Sequence, residues 1–215
     1  MKKLIALLLV MALSAPCFGC GSAPAPAPSA PAPTPAPTES PAAPAQEPEA
    51  APAEEPTPAN TILVVYFSAT GTTKGVAEKI AALTGGDLAE IVPAQPYTAE
   101  DLNYNDRSTR ATVEQNTPDA RPEIANEISL EGYTTVYLGY PIWWGQAPRI
   151  LSSFVESHDF TGMTVIPFCT SGSSGAGRTG ETLGSEAGTG TFLSSTRHSA
   201  AISDGDLQAW IDSVS

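Results

Sequence analysis

A short loop rich in hydroxyl groups, Ser68 to Thr73, has the composition of an anion site. The loop reads Ser-Ala-Thr-Gly-Thr-Thr, directly follows the apolar run Ile62 to Phe67, and leads into a helical pattern. Backbone N–H groups in the first turn of a helix lack partners within the helix, and the helix dipole adds partial positive charge. We therefore predict a phosphate site without a basic side chain. Its residues are Ser68, Thr70, Gly71, Thr72 and Thr73.

Two further loops also follow apolar runs, and both are suited to a planar ligand. Adjacent indole rings in the second loop offer flat surfaces for stacking, and small residues in the third allow close approach to the backbone. The second loop contains Pro141, Ile142, Trp143, Trp144 and Gly145. The third contains Thr170, Ser171, Gly172, Ser173 and Gly175. Each loop also has a structural interpretation, as helix caps, hydrophobic packing and a flexible connector respectively.

Apolar runs and helical periodicity alternate along the chain and would place these loops at one edge of a sheet. Strands are predicted at Ile62–Phe67, Asp87–Val92, Thr134–Tyr140 and Met163–Cys169, with a last one between Thr191 and Ile202. Helices are predicted at Thr73–Leu83, Arg110–Asn116, Glu123–Ile128, Arg149–Glu156 and 205–214. The charged Asp87–Val92 run suits an edge strand. This alternation predicts a parallel sheet covered on both faces, with a ligand at the carboxyl ends of its strands.

Three motifs resemble those of the flavodoxin family over residues 61–215. The Ser68 to Thr73 loop matches the FMN phosphate loop of that family, and Tyr140 to Gly145 resembles the second flavin loop of its lipoprotein branch. Cys169 to Gly175 resembles the third loop more loosely. The resemblance implies an α/β fold, a flavodoxin-like three-layer sandwich with a five-stranded parallel sheet of order 2-1-3-4-5.

The same resemblance implies a role for each loop. The first would bind the FMN phosphate, Pro141 to Gly145 would flank the isoalloxazine, and Thr170 to Gly175 would contact its pyrimidine edge. Many flavodoxins carry a stacking tyrosine in the third loop, whereas this chain has only small residues there. Ring stacking would then fall mainly to Trp143 or Trp144. The sequence leaves open which of the two faces the flavin.

The N-terminal part reads as an export signal followed by a spacer. Residues 1–22 combine two lysines, an apolar run and small residues, and the Gly before Cys20 resembles a bacterial lipobox. We expect Cys20 to be lipidated, with ordinary cleavage as the alternative. Residues 23–60 contain 13 prolines and are predicted to form a disordered, extended tether. Only Cys169 would then remain unmodified, so no intrachain disulfide is expected.

The charge of the domain and its remaining reactive side chains argue against several classes of function. Residues 61–215 hold 18 acidic and 8 basic residues, which argues against nucleic-acid binding and predicts a lowered flavin potential. Cys169 ends an apolar run and is expected to pack as a small hydrophobe. His158 and His198 lack metal-ligand spacing and are predicted to lie at the surface, and Tyr104 is interpreted as an ordinary loop aromatic.

These observations favour an FMN-binding electron-transfer flavoprotein, lipid-anchored on the extracytoplasmic face of the cell membrane. Its partner would be a redox protein or a small-molecule electron acceptor, and an acidic surface could steer a basic partner. Two alternatives stay open. One is an FMN-dependent NAD(P)H/quinone-type reductase. The other is a flavin-free module that uses the first loop for a different phosphorylated ligand.

Overall fold

The computed structural model describes residues 61–215, in which strands and helices alternate. The predicted signal, the lipidation site at Cys20 and the tether lie outside the described residues. The strands are Ile62–Tyr66 (β1), Asp87–Glu90 (β2), Thr135–Pro141 (β3), Thr164–Thr170 (β4), Thr191–Phe192 (β5) and Thr196–His198 (β6). The helices are Thr72–Thr84 (α1), Arg110–Asn116 (α2), Arg149–Glu156 (α3), Thr179–Ala187 (α4) and Asp204–Val214 (α5).

All strand pairs are parallel, and the sheet order is β2-β1-β3-β4-β5. The strand β6 also pairs with β4, where Cys169 lies opposite Arg197, while β5 pairs with the start of β4, where Thr164 lies opposite Thr191. Both therefore occupy the same side of β4 and act as one interrupted fifth strand. This confirms the predicted order, the three-layer α/β class and the edge position of β2.

Alternate residues of each central strand pack on opposite faces of the sheet. From β1, Leu63 and Val65 join a core cluster that includes residues of α2, α3 and α4. Their neighbours Val64 and Tyr66 join a second cluster with residues of α1 and α5. Because both faces are buried, the central strands read as continuous apolar runs rather than as an alternating pattern. Within residues 61–215, no helix combines the length and apolar character needed to cross a bilayer.

Two parts of the chain differ from the sequence prediction. The predicted helix at Glu123–Ile128 is wrong, because this segment is irregular and forms a single bridge, from Ile124 to Pro93, beyond the end of β2. There the Ala125 N–H donates to the Val92 carbonyl at 2.7 Å. Helix α4 had no clear sequence signal because it contains Gly180 and Gly184. A side chain at Gly180 would lie 2.6 Å from the Leu193 carbonyl oxygen, so the glycine permits close packing at the expense of helix propensity.

The surface prediction is wrong for His198. His198 is 4% exposed, its ring centre lies 4.4 Å from that of Trp210, and among residues 61–215 its Nε2 has no hydrogen-bond partner. Trp210 of α5 packs against the ring and accounts for part of this burial. His158 is half-buried, with Nδ1 2.7 Å from the Phe154 carbonyl oxygen and Nε2 3.0 Å from that of Ile128.

Burial lowers the pKa of His198, which leads to a pH-dependent stability. The folded chain keeps this histidine neutral while the unfolded chain binds a proton, so stability is lost as the pH falls below about 6.5. We expect His198→Phe, which suits the neighbouring Trp210, to weaken this loss. Urea unfolding at pH 8 and pH 5.5 measures it. Equal pH dependence in the parent and variant proteins would contradict the assignment.

Candidate functional site

The first predicted loop leaves the start of α1 open to solvent. Gly71 occupies the N-cap position with φ +83° and provides no side-chain cap. A side chain placed on Gly71 would meet nothing within 4 Å. Thr70 and Thr72 are exposed, and their hydroxyl oxygens lie 3.3 Å apart. Free N–H groups and two exposed hydroxyls therefore surround an open helix N-terminus, which is the arrangement that binds phosphate.

Thr73 has a different position from the other predicted phosphate ligands. Its side chain is buried, with 1% exposed, and its hydroxyl forms a hydrogen bond of 2.9 Å with that of Thr170. This contact joins the first loop to the start of the third. The Thr73 hydroxyl is thereby used inside the protein, and the backbone N–H remains its contribution to an anion site. Ser68 is half-buried.

The second loop separates its two tryptophans. Trp143 is 4% exposed and packs edge-on against Phe67, with ring centres 5.6 Å apart. Its carbonyl oxygen accepts a hydrogen bond of 2.9 Å from Gln115 Nε2. Its neighbours Pro141 and Ile142 are half-buried and buried. Trp143 is therefore a core residue rather than a free stacking surface.

Trp144 lies at the tip of a tight turn. The turn is closed by hydrogen bonds of 2.9 Å in each direction between the backbone of Trp143 and Gln146. Trp144 has φ +47° and is the one non-glycine residue with positive φ among residues 61–215. Such a conformation costs free energy in a bulky residue and is concentrated at ligand sites. Of the two candidates, Trp144 is the more exposed: it is half-buried and one part of it packs against the core cluster.

Tyr104 contacts Trp144, which the interpretation as an ordinary loop aromatic did not foresee. The two ring centres lie 4.5 Å apart with the planes tilted by 38°, and Tyr104 is 56% exposed. Its loop comes from the segment between β2 and α2, far from the second loop in sequence. The contact gives one face of the Trp144 indole a packing partner and limits its motion.

The Trp143 side chain is supported by a cluster that the sequence did not single out. Its ring centre lies 5.0 Å from that of Tyr97, and the Arg110 guanidinium lies 4.0 Å above the Tyr97 ring. Arg110 also pairs with Glu114 at 2.8 Å. Burial and the hydrogen bond to Glu114 raise the pKa of the Tyr97 hydroxyl. The second loop is thus held by the packing of Trp143 against Tyr97, which in turn contacts Arg110.

The third loop is fastened by a residue that the sequence analysis missed. Arg197 donates from Nε to Ser171 Oγ at 2.9 Å and from a terminal nitrogen to the Ser171 carbonyl oxygen at 3.0 Å. Ser171 Oγ in turn donates to the Ser174 carbonyl. Gly172, Ser173 and Gly175 are exposed. Arg197 reaches this loop because β6 pairs with β4, and that pairing cannot be predicted from the local sequence.

The structure brings all three loops to the same edge of the sheet. The Ile142 N–H donates to the Thr170 carbonyl at 2.9 Å, which joins the second and third loops, and Thr73 joins the first to the third. A cavity of about 220 Å³ lies beside Gly145, with Arg149, Arg178 and Glu186 in its wall. The contacts of Thr170 with Ile142 and Thr73 therefore hold the three loops together at this edge, and the cavity borders the second loop.

Two titratable groups close to these loops are held in their neutral forms. Burial raises the pKa of the Cys169 thiol to about 11, and the residue is fully buried, as predicted for a packed hydrophobe. Burial also raises the pKa of Tyr140 to about 12. Its hydroxyl lies 2.8 Å from that of Thr179 and 3.0 Å from that of Ser195. Both groups therefore stay protonated at neutral pH.

Comparisons with known proteins agree with this geometry. The family model for flavodoxin matches residues 61–214. A candidate flavoprotein from Bacteroides eggerthii DSM 20697 is 42% identical, with a TM-score of 0.68, over 72% of this chain and 97% of that one. A second, from Bacteroides uniformis ATCC 8492, is 40% identical, with a TM-score of 0.67, over 71% and 97%.

A more distant structure shares the fold alone. It is a flavoprotein from Lactobacillus acidophilus NCFM in complex with FMN, 19% identical with a TM-score of 0.51, over 71% of this chain and 99% of that one. No curated protein is detectably similar to the chain. The family model covers residues 61–214, which is all but one of the described residues, and it agrees with the sheet order. The chain therefore belongs to the flavodoxin family.

Proposed function

We propose that this chain binds FMN where the three loops meet and acts as an electron-transfer flavoprotein. The observation that carries the proposal is the open N-terminus of α1. Gly71 caps the helix without a side chain, the space beside its Cα is open for at least 4 Å, and Thr70 and Thr72 are exposed. The residues present thus fit a phosphate monoester. The FMN complex of the Lactobacillus acidophilus protein supports the choice of ligand.

Each loop would have a distinct task in holding the cofactor. The first binds the phosphate through backbone N–H groups and hydroxyls. Trp144, the more exposed tryptophan of the second loop, packs on the ring system, while Trp143 fixes the loop from inside. The third loop presents small residues to the edge of the ring. FMN itself supplies the chemistry, which is the transfer of one or two electrons.

Two buried groups near the site are unsuited to acid–base catalysis. Cys169 and Tyr140 are protonated at neutral pH, and burial raises their pKa values further, to about 11 and 12. General acid–base catalysis needs a group whose pKa lies near the working pH. In our proposal the polypeptide holds and tunes the cofactor, and the electrons pass between FMN and an external partner.

The proposal includes a location and a partner, both supported by the sequence alone. Lipidation at Cys20 would anchor the protein at the extracytoplasmic face of the cell membrane. Residues 23–60 would then separate the flavin domain from the lipid surface. The partner would be a redox protein or a small electron acceptor able to approach the exposed loops.

One observation favours the reductase alternative as a second candidate. The cavity of about 220 Å³ beside Gly145 has Arg149 and Arg178 in its wall, and it would accommodate a small acceptor next to the second loop. Steady-state consumption of NADPH or NADH with a soluble quinone distinguishes the two functions. A carrier turns over slowly without a partner reductase, whereas a reductase shows sustained turnover.

A phosphate-specific test addresses the proposed function directly. We expect the full-length chain, purified in detergent, to quench FMN fluorescence on titration. We expect the double substitution T70A/T72A to weaken FMN binding by about 30-fold, since each lost charge-assisted hydrogen bond contributes about 1 kcal/mol or more.

Riboflavin, which lacks the phosphate, provides the control ligand. The double substitution should leave riboflavin affinity unchanged, because neither threonine would contact the ring. If the parent protein binds neither FMN nor riboflavin, the flavin-free module is favoured. Equal weakening for both ligands would argue against a phosphate role for these hydroxyls.

A further inference from the structure

The three loops carry no carboxylate, although the domain around them is acidic. Residues 61–215 contain 18 acidic and 8 basic residues, but none of the acidic ones falls in 68–73, 141–148 or 170–177. A basic residue lies at the start of the helix that follows each loop: Lys74 in α1, Arg149 in α3 and Arg178 at the N-cap of α4. Two of these positions have an acidic neighbour, since Lys74 pairs with Glu78 at 4.0 Å and Glu186 shares a cavity wall with Arg149 and Arg178.

Arg197 is the cation with direct contacts to the third loop. Its side chain donates to Ser171 Oγ at 2.9 Å, to the Ser171 carbonyl oxygen at 3.0 Å and to the Gly172 carbonyl oxygen at 3.5 Å. Within residues 61–215 it forms no ion pair, unlike Lys79, Arg110 and Arg121. All of its partners are neutral, so its positive charge is not cancelled locally.

Strand pairing fixes the position of this charge. Arg197 lies opposite Cys169 in the β4–β6 ladder, one residue before the point where Thr170 pairs with His198. Since His198 is buried with 4% exposed, the backbone on the C-terminal side of Arg197 is held by the core. Arg197 is exposed, and its position is fixed at the backbone by the sheet and at the guanidinium by hydrogen bonds to the loop.

A positive charge at this position would affect the reduced cofactor more than the oxidised one. If FMN were bound here, its two-electron reduction with uptake of one proton would add one negative charge to the ring. A fixed positive charge near the ring stabilises that state more than the oxidised one. Lysine would supply the charge without the planar, multidentate contacts by which arginine orders the loop.

We propose that Arg197 sets the balance between oxidised and reduced FMN by placing an unneutralised positive charge beside the third loop. This inference rests on the proposed function and deepens it. It opposes the lowering of the flavin potential that the acidic composition predicts. Arg197 is a positioning residue, because it acts through the loop and through its field rather than on a reacting bond.

The test compares how each variant binds the oxidised and the dithionite-reduced cofactor. We expect Arg197→Gln to weaken binding of reduced FMN about fivefold to tenfold more than binding of oxidised FMN, as expected for a unit charge removed from a partly solvated site. A tenfold change in that ratio corresponds to about 30 mV in the two-electron potential. Arg197→Lys should keep the ratio within about twofold, because the charge is retained. Amide exchange of the ligand-free chain should show faster exchange at 171–174 in both variants.

Arg107→Gln is the matched control, since Arg107 is exposed and has no ion pair among residues 61–215. It should leave the ratio unchanged. Equal weakening of oxidised and reduced FMN in Arg197→Gln would overturn the proposal and leave a purely structural role. An equal shift in Arg107→Gln would also overturn it, because the effect would then reflect net charge. A parent protein that binds no FMN would overturn both this inference and the proposed function.

Discussion

Replacing Gly71 with valine is expected to lower FMN affinity by about 100-fold, because the positive φ of this residue shapes the phosphate loop. Gly71 has φ +83°, a region that β-branched residues strongly avoid. Space is not the obstacle, since a side chain there would meet nothing within 4 Å. The loop must instead rotate, which turns the first N–H groups of α1 away from the phosphate. Fluorescence titration with FMN measures the loss.

Gly75 provides a matched control within the same helix. It is exposed, a side chain there would also meet nothing within 4 Å, and it is not among the glycines with positive φ. Gly75→Ala should raise the free energy of unfolding by about 0.5–1 kcal/mol through helix propensity and leave FMN affinity unchanged. If Gly71→Val retained parental affinity, the phosphate would not be bound by this loop.

The adjacent tryptophans are expected to respond to truncation in opposite ways. Trp143→Ala removes a buried ring that contacts Phe67 and Tyr97, so it should lower the free energy of unfolding by about 3–5 kcal/mol. Trp144→Ala should lower the free energy of unfolding by less than Trp143→Ala does, because Trp144 is only half-buried, and it should weaken FMN binding by about tenfold, since it removes the proposed stacking partner. Urea unfolding and FMN titration of both variants separate the two effects.

The backbone strain at Trp144 allows a further comparison at the same position. Because Trp144 has φ +47°, Trp144→Gly should be more stable than Trp144→Ala by about 1 kcal/mol, while both lose the stacking contact. A stable Trp143→Ala variant would mean that the ring does not belong to the core. Unchanged FMN affinity in both Trp144 variants would show that the flavin packs elsewhere.

The parts of the fold that could be predicted are those with a strong local signal. Helix α3 was predicted with its observed bounds, Arg149–Glu156, because its apolar residues recur on one face. The Gly85–Gly86 pair correctly marked the end of α1, where Gly85 is the C-cap with φ +68°. Helix α4 was not predicted, and the segment 123–128 was predicted as a helix. In both cases the structure depends on tertiary packing and pairing rather than on the periodicity of the sequence.

The sequence identified the three loops of the candidate site, because each loop is a local feature of the chain, but it did not identify the contacts between them. The sequence indicated three loops, and the parallel topology explains why they meet. The distinction between Trp143 and Trp144 depends on which side of a turn faces the core, and two adjacent identical residues carry no sequence signal for that. The contact of Arg197 with the third loop follows from the register between β4 and β6. The burial of the Thr73 hydroxyl follows from its hydrogen bond to Thr170, which lies 97 residues away in the sequence.

Both borders of the sheet are ill-suited to recruiting a strand from another molecule. On one side, Asn126 accepts from the Val92 N–H and donates to the Glu90 carbonyl, at 2.9 Å in each case, so backbone groups beyond β2 are already satisfied. On the other side, the outer strand consists of two short pieces, Thr191–Phe192 and Thr196–His198. A broken outer strand offers no continuous template for intermolecular pairing. Many copies crowded on one surface would therefore resist aggregation through their sheet edges.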